Sequence, residues 1–193
     1  MTERSPERQK EEETVKKEKK LLLLKECLNT KKLARVYFSY APYYYYFYPN
    51  DVSNKFLLAQ EENDFQLDGY HVRKISHMSR VQIKDDLCSE INIWNGVADQ
   101  VRSPGIDISS WHSIFSDLQK LKGFIIIEDE INGQFAIGKI IKVCKHHLKF
   151  RHFDAEGIWE EEPQTIPYSS ITHVAWNTRY TDNWEGFLAS KAQ

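Results

Sequence analysis

Residues 169–176 read SSITHVAW, and residues 76–82 read SHMSRVQ. Aligned on Ser76 and Ser169, both give serine, one free position, Met or Ile, Ser or Thr, a basic or imidazole side chain, and valine. A six-residue echo decides little alone, but its surroundings agree. Each stretch follows an apolar segment, HVRKI (71–75) or TIPY (165–168). Each of those follows a turn glycine, Gly69 or Gly157, with an aromatic close behind it, Tyr70 or Trp159.

Working outward, the first half carries dense strand signals. LARVYFSY (33–40), YYYYFY (43–48), KFLLAQE (55–61), YHVRKI (70–75) and SRVQIK (79–84) are bounded by Pro42, by Pro49-Asn50-Asp51 and by Asp68-Gly69. Aromatic and β-branched runs between such punctuation read as short strands. The second half gives 124–129, 134–143, 148–153, 158–162 and 171–176, with Asn132-Gly133 as a hairpin turn. A helix opens each half. Residues 11–32 contain no Gly or Pro and turn apolar at Leu21–Leu24. Trp111, Ile114, Phe115, Leu118 and Leu121 form one stripe at helical spacing, with Asp107 or Ser109 as the cap and Gly123 as the left-handed end.

The repeated order, helix then five strands, indicates an internal duplication. The expected fold is α+β and mainly β: two tandem small SH3-like barrels, each a helix followed by short antiparallel strands. Residues 1–20, almost wholly charged or polar, read as a disordered lead. Residues 21–84 form the first unit, 85–105 a partly packed connector held by Ile91, Ile93 and Trp94, and 106–193 the second unit with a closing turn at Trp184, Phe187 and Leu188.

The chain of 193 residues carries a formal net charge of −2, so no global field draws it to nucleic acid or an anionic membrane. Its early apolar run, Leu21–Leu24, is too short to cross a bilayer or form a signal-peptide core. Cys27, Cys88 and Cys144 are widely spaced and odd in number, which fits free thiols in a reducing, cytoplasmic compartment.

FLLAQE (56–61), DF (64–65), DGY (68–70) and SHMSRV, with DAEGIWEEE (154–162) and IPYSSITHV (166–174), are similar to a group of bacterial proteins. The helix and five bent strands resemble the Sm-like variant of the small barrel. The resemblance covers residues 33–84 and 108–180. It implies tandem Sm-like repeats, with RNA binding and ring assembly as the functions of that fold. The bacterial group brings no established activity, so no functional residue is carried over.

Two stretches could carry binding chemistry. Residues 139–152 hold Lys139, Lys142, Lys145, Lys149, Arg151 and three histidines without an acid. If 154–157 is a hairpin loop, Arg151 faces Glu160 and Lys149 faces Glu162, which leaves Lys139, Lys142 and Lys145 freer. In YYYYFY, alternation puts Tyr44, Tyr46 and Tyr48 on one face and Tyr43, Tyr45 and Phe47 on the other. Outward tyrosines can stack bases. His146, His147 and His152 lack the spacing of a metal site, and no nucleophile, phosphate-loop or dinucleotide motif occurs. His173 matches Arg80 in the repeat, which argues against it as a lone catalytic base.

The expectation is a non-enzymatic interaction or scaffold protein without cofactor, metal or membrane, whose partner is another protein or a second copy. The first alternative is single-stranded RNA or DNA binding through Lys139, Lys142, Lys145, Tyr44, Tyr46 and Tyr48. The second is a hydrolytic or metal-dependent enzyme.

Overall fold

Alternation sets the first strands. In β1 (Ala34–Phe38), Ala34, Val36 and Phe38 are buried while Arg35 and Tyr37 face outward. β1 pairs antiparallel with β2 (Tyr44–Val52), whose Tyr45 and Phe47 join the same core. β3 (Phe56–Asn63), β4 (Gln66–Lys74) and β5 (Met78–Ile83) complete the first half. A computed structural model describes residues 6–191 of the chain.

The second half repeats the plan with β6 (Ile125–Asp129), β7 (Gln134–Val143), β8 (His147–His152), β9 (Gln164–Pro167) and β10 (His173–Trp176). All ten strands belong to one antiparallel sheet in the order β5-β1-β2-β3-β4-β10-β6-β7-β8-β9. The first five positions and the last five follow the same internal order, closing strand first. The sheet is continuous and open; it does not resolve into two closed barrels. The halves join where β4 pairs with β10, through Tyr70↔Trp176, His71↔Ala175, Val72↔Val174 and Arg73↔His173.

Two cores lie on opposite faces of this sheet. One holds Val36, Phe47, Leu57, Ala59, Met78 and Val81 with Leu24 and Cys27 from α1 (Pro6–Thr30). The other holds Ile125, Ile127, Leu148, Phe150, Ile171, Val174 and Trp176 with Ile114, Phe115 and Leu118 from α4 (Trp111–Leu121). β3 serves both: Leu57 and Ala59 enter the first core, Phe56 and Leu58 the second. A strand buried on both faces cannot alternate with polar residues, which is why FLLA reads as an unbroken apolar run.

Several expectations change in detail. The stretch read as a disordered lead is helical from Pro6, and residues 1–5 lie outside the described residues. Proline suits the first helical position, Glu12/Lys16 and Glu13/Lys17 have i,i+4 spacing, and the helix is anchored downstream by Leu24 and Cys27. Ser110 caps α4 in place of Asp107 or Ser109, and Lys122 takes the left-handed end in place of Gly123. The connector forms α2 (Leu87–Trp94) and α3 (Val97–Gln100). Val97 packs it down and Ile106 and Ile108 are buried just beyond it, whereas Ile93 and Trp94 stay exposed, the latter 85%. α5 (Arg179–Lys191) closes the chain, with Trp184 and Leu188 on a small core around Phe124 and Phe153.

Residues 158–162 form no strand beyond one bridge, Phe153↔Trp159. Asp154 accepts from the amides of Glu156 and Ile158, each at 2.9 Å, and this extends the loop. The fourth strand starts only after Pro163. Lys149 therefore faces Thr165, not Glu162, and Arg151 Nε donates to the Glu160 carbonyl at 2.9 Å. No helix among the described residues is long and apolar enough to cross a membrane.

Gly69 ties the halves at close range. Its φ is +68°, and a Cβ there would lie 2.7 Å from both the Asn177 carbonyl oxygen and the Thr178 nitrogen. Gly133 has a similar φ of +66° but open space around it. Gly69→Ala should cost about 3 kcal/mol of unfolding free energy and Gly133→Ala about 1, the difference being the close approach. Urea unfolding of both variants checks this; equal losses would refute the role of the contact.

Candidate nucleic-acid interface

Direct cross-strand partners point to the same side of a sheet. On the outer side of β5, β1 and β2 this yields two rows, Arg80–Tyr37–Tyr44 and Gln82–Arg35–Tyr46. Cations and rings interleave. The Arg35 guanidinium lies 4.5 Å from the Tyr44 ring centre and donates to the Tyr46 hydroxyl at 2.9 Å. Arg80 lies 5.6 Å from the Tyr37 ring, and Tyr44 meets Tyr37 edge-on at 5.5 Å. Tyr44 remains 42% exposed. Neither row contains an acid, and Arg35 Nε lacks an acceptor among the described residues.

The rows continue into a groove of about 430 Å³ between α1 and the edge strand β5. Lys16, Lys19 and Lys20 form one wall, Arg80 and Gln82 the other, and no acid is among the described lining residues. A basic channel that opens onto exposed rings can hold a phosphate backbone while bases stack beside it.

Tyr44 and Tyr46 belong to this face. Tyr48, on the same side of β2, is buried beside Leu33 and Val97 where α3 covers it, and burial pushes its hydroxyl up to about 12. Lys139 and Lys142 lie exposed on β7, and Lys145 on the turn after it. β3, β4, β10 and β6 stand between β2 and β7, so these lysines do not meet the tyrosines. The cations beside the rings are Arg35, Arg80 and Lys84, the last 5.6 Å from the Tyr46 ring centre. The signal for Arg35 was present in the alternation of ARVYF, which sets Arg35 and Tyr37 opposite Val36.

No family model, curated protein or solved structure matches the chain.

A second polar constellation sits at the joint of the halves. Arg73, His173 and Glu128 are consecutive partners across β4, β10 and β6. His173 Nδ1 bonds the Glu128 carboxylate and its Nε2 lies 2.9 Å from His71 Nδ1, the two rings stacked at 5.1 Å. His71 Nε2 lies 2.9 Å from the Asp68 carbonyl, and Glu61 is 3.4 Å from His71 Nδ1. Arg73 pairs with Glu130, which accepts from Thr172 at 3.1 Å. Donor atoms of Glu128, Glu130 and His173 lie within 4.8 Å of one another, a span that could close on a metal ion. The Arg73 guanidinium, bonded to Glu130, already supplies the positive charge there, so the donor set does not suit a further cation.

Burial keeps both histidines well below their ordinary 6.5. Burial, reinforced by Asp68, Glu128 and Glu130, raises Glu61 from 4.5 to about 7. The two effects oppose each other. Below about pH 6.5 the unfolded chain takes up imidazole protons that the fold refuses, so acid destabilises through the histidines. Glu61 acts in the reverse sense: its stabilisation is complete below pH 4.5 and is lost as pH rises through about 7. Glu61→Gln should remove that loss. Its stability relative to the parent should climb by about 3 kcal/mol between pH 4.5 and pH 7 and then level off. Denaturant unfolding of both proteins across this range measures the difference; a constant gap would contradict the assignment.

Proposed function

We propose that the protein is a non-enzymatic interaction module whose partner is single-stranded nucleic acid. The carrying observation is the acid-free lattice of Arg35, Tyr37, Tyr44, Tyr46 and Arg80, continued by the lysines of α1. Its chemistry is sequence-tolerant: rings and guanidinium planes accept any base, and ammonium groups accept any phosphate. The polar cluster at the joint supports the non-enzymatic part of this reading. His71 and His173 are buried and their ring nitrogens are engaged by neighbours.

The two halves are read as copies of one SH3-like, Sm-like unit fused edge to edge. The repeated strand order supports this, as do Ser76 and Ser169, each placed two residues before a buried Met78 or Ile171 at the approach to the closing strand. A reducing, cytoplasmic setting suits the three free thiols.

Fluorescence anisotropy with fluorescein-labelled oligothymidylate and oligouridylate of about twelve nucleotides tests the proposal. Binding is expected at low salt, weakening with a log–log slope of about 2 to 3 as salt rises. Tyr44→Ala should weaken it about fivefold or more, while Lys142→Ala leaves it unchanged. No binding at about 25 mM salt, or equal losses from both variants, would overturn it.

A further inference from the structure

A cleft of about 450 Å³ lies between the halves and shares no lining residue with the Arg–Tyr face or the α1 groove. Its walls come from distant parts of the chain: Lys17 from α1, Lys55 from the β2–β3 turn, Lys74 from the end of β4, and Lys145 from the β7–β8 turn. None of its described lining residues is acidic. Four lysines therefore converge on one volume whose described lining holds no carboxylate. Such an arrangement favours an anion.

The floor is aromatic. Trp111 meets Phe56 edge-on at 4.7 Å and stacks on Phe115, which in turn stacks on Tyr168; Trp111, Phe56 and Tyr168 all line the cleft. The Lys74 ammonium is drawn over the Trp111 ring at 5.8 Å and donates to the Ser169 carbonyl at 3.3 Å. Burial lowers the pKa of this lysine, with Asp129 opposing the shift, and an anion in the cleft would oppose it further.

Two further features point the same way. Trp111 is only 7% exposed, and its indole N–H has no acceptor among the described residues. Trp111 thus brings a buried, unsatisfied donor to the wall of the cleft. Ser110, Trp111 and His112 also bring the start of the eleven-residue α4 to the cleft, the positive end of its dipole. Ser76 and Ser169, the two serines on which the internal repeat aligns, both line this same volume. The duplication thus contributes one hydroxyl from each copy.

We propose that this cleft binds a nucleoside phosphate, with its phosphates among Lys17, Lys55, Lys74 and Lys145 and its base on the aromatic floor beside Trp111. The size suits such a molecule: small-ligand sites run from about 300 to 1,000 Å³, apolar in lining with a few convergent polar groups. A bare inorganic anion would leave the aromatic floor unused. A nucleoside alone would leave the lysines unused.

Isothermal titration calorimetry of the full chain with ADP, GDP, CDP and UDP, alongside pyrophosphate and adenosine, tests this. At least one of the four nucleotides should bind, tenfold or more tighter than either pyrophosphate or adenosine. The double variant Lys55→Ala/Lys145→Ala changes two exposed side chains and should weaken that nucleotide tenfold or more. Tyr44→Ala should leave nucleotide binding unchanged, which separates this site from the oligonucleotide face. No heat from any of the four nucleotides, pyrophosphate as tight as the best nucleotide, or a lysine double variant that binds like the parent would each overturn the proposal. The oligonucleotide result stands or falls independently.

Discussion

The pairing of β4 with β10 is the constraint on which the rest depends. Four residue pairs convert two five-strand halves into one sheet, and each pair carries a distinct load. Val72 opposite Val174 feeds the core under α4. Tyr70 opposite Trp176 stacks at 5.4 Å on that same side. His71 and Arg73 face the other way, into a region that already holds Glu61, Glu128 and Glu130. A register slip of one residue would exchange these faces, pushing valines into the charged row and an arginine into the aliphatic core. The charged row therefore specifies register as much as it stabilises the joint.

Burying so many ionisable groups is expensive unless each finds a partner. Here the partners come from six strands and from the turn after β6. Arg73 takes Glu130 and rests over the rings of Phe38 and Tyr45, at 5.0 and 4.9 Å. The histidine pair divides its nitrogens among Glu128, the Asp68 carbonyl and itself. Glu61 meets the cost by holding its proton to higher pH. The tie between the halves is thus sensitive to protonation, although the sheet around it is held by ordinary apolar packing.

Much of the architecture was legible in the sequence. Pattern alone located α4 at Trp111–Leu121 and the aromatic second strand. These depend on local periodicity and turn chemistry, which neighbours along the chain determine. The fusion of the halves was not legible, because strand-to-strand pairing between residues about a hundred positions apart leaves no local trace. Arg80 and His173 show the limit. They occupy matched positions in the two similar stretches, yet Arg80 is exposed on an edge strand and His173 is buried against β4. The loop at 154–163 misled for a different reason: side-chain bonds from Asp154 add residues to a turn whose length sets the register of everything after it. The tyrosines were correctly assigned to alternate faces, but their cations came from β1 and β5, not from the basic run at 139–152. The cleft could not be anticipated, since its four lysines come from four separate elements.

An open sheet of ten strands has two unpaired ends, and such ends recruit other strands unless they are blunted. The two ends of this one are protected differently. β9 is only four residues long, begins after Pro163 and stops at Pro167, so its ladder has little length to offer. β5 is longer, but α1 lies along it, and the Lys20 ammonium donates to the Met78 carbonyl at 2.6 Å. The helix that lends its lysines to the basic groove also guards an edge against aggregation. Shortening that helix to probe its charge would therefore expose a sticky strand at the same time, and a loss of solubility in such a truncation would report on the edge before it reported on any ligand.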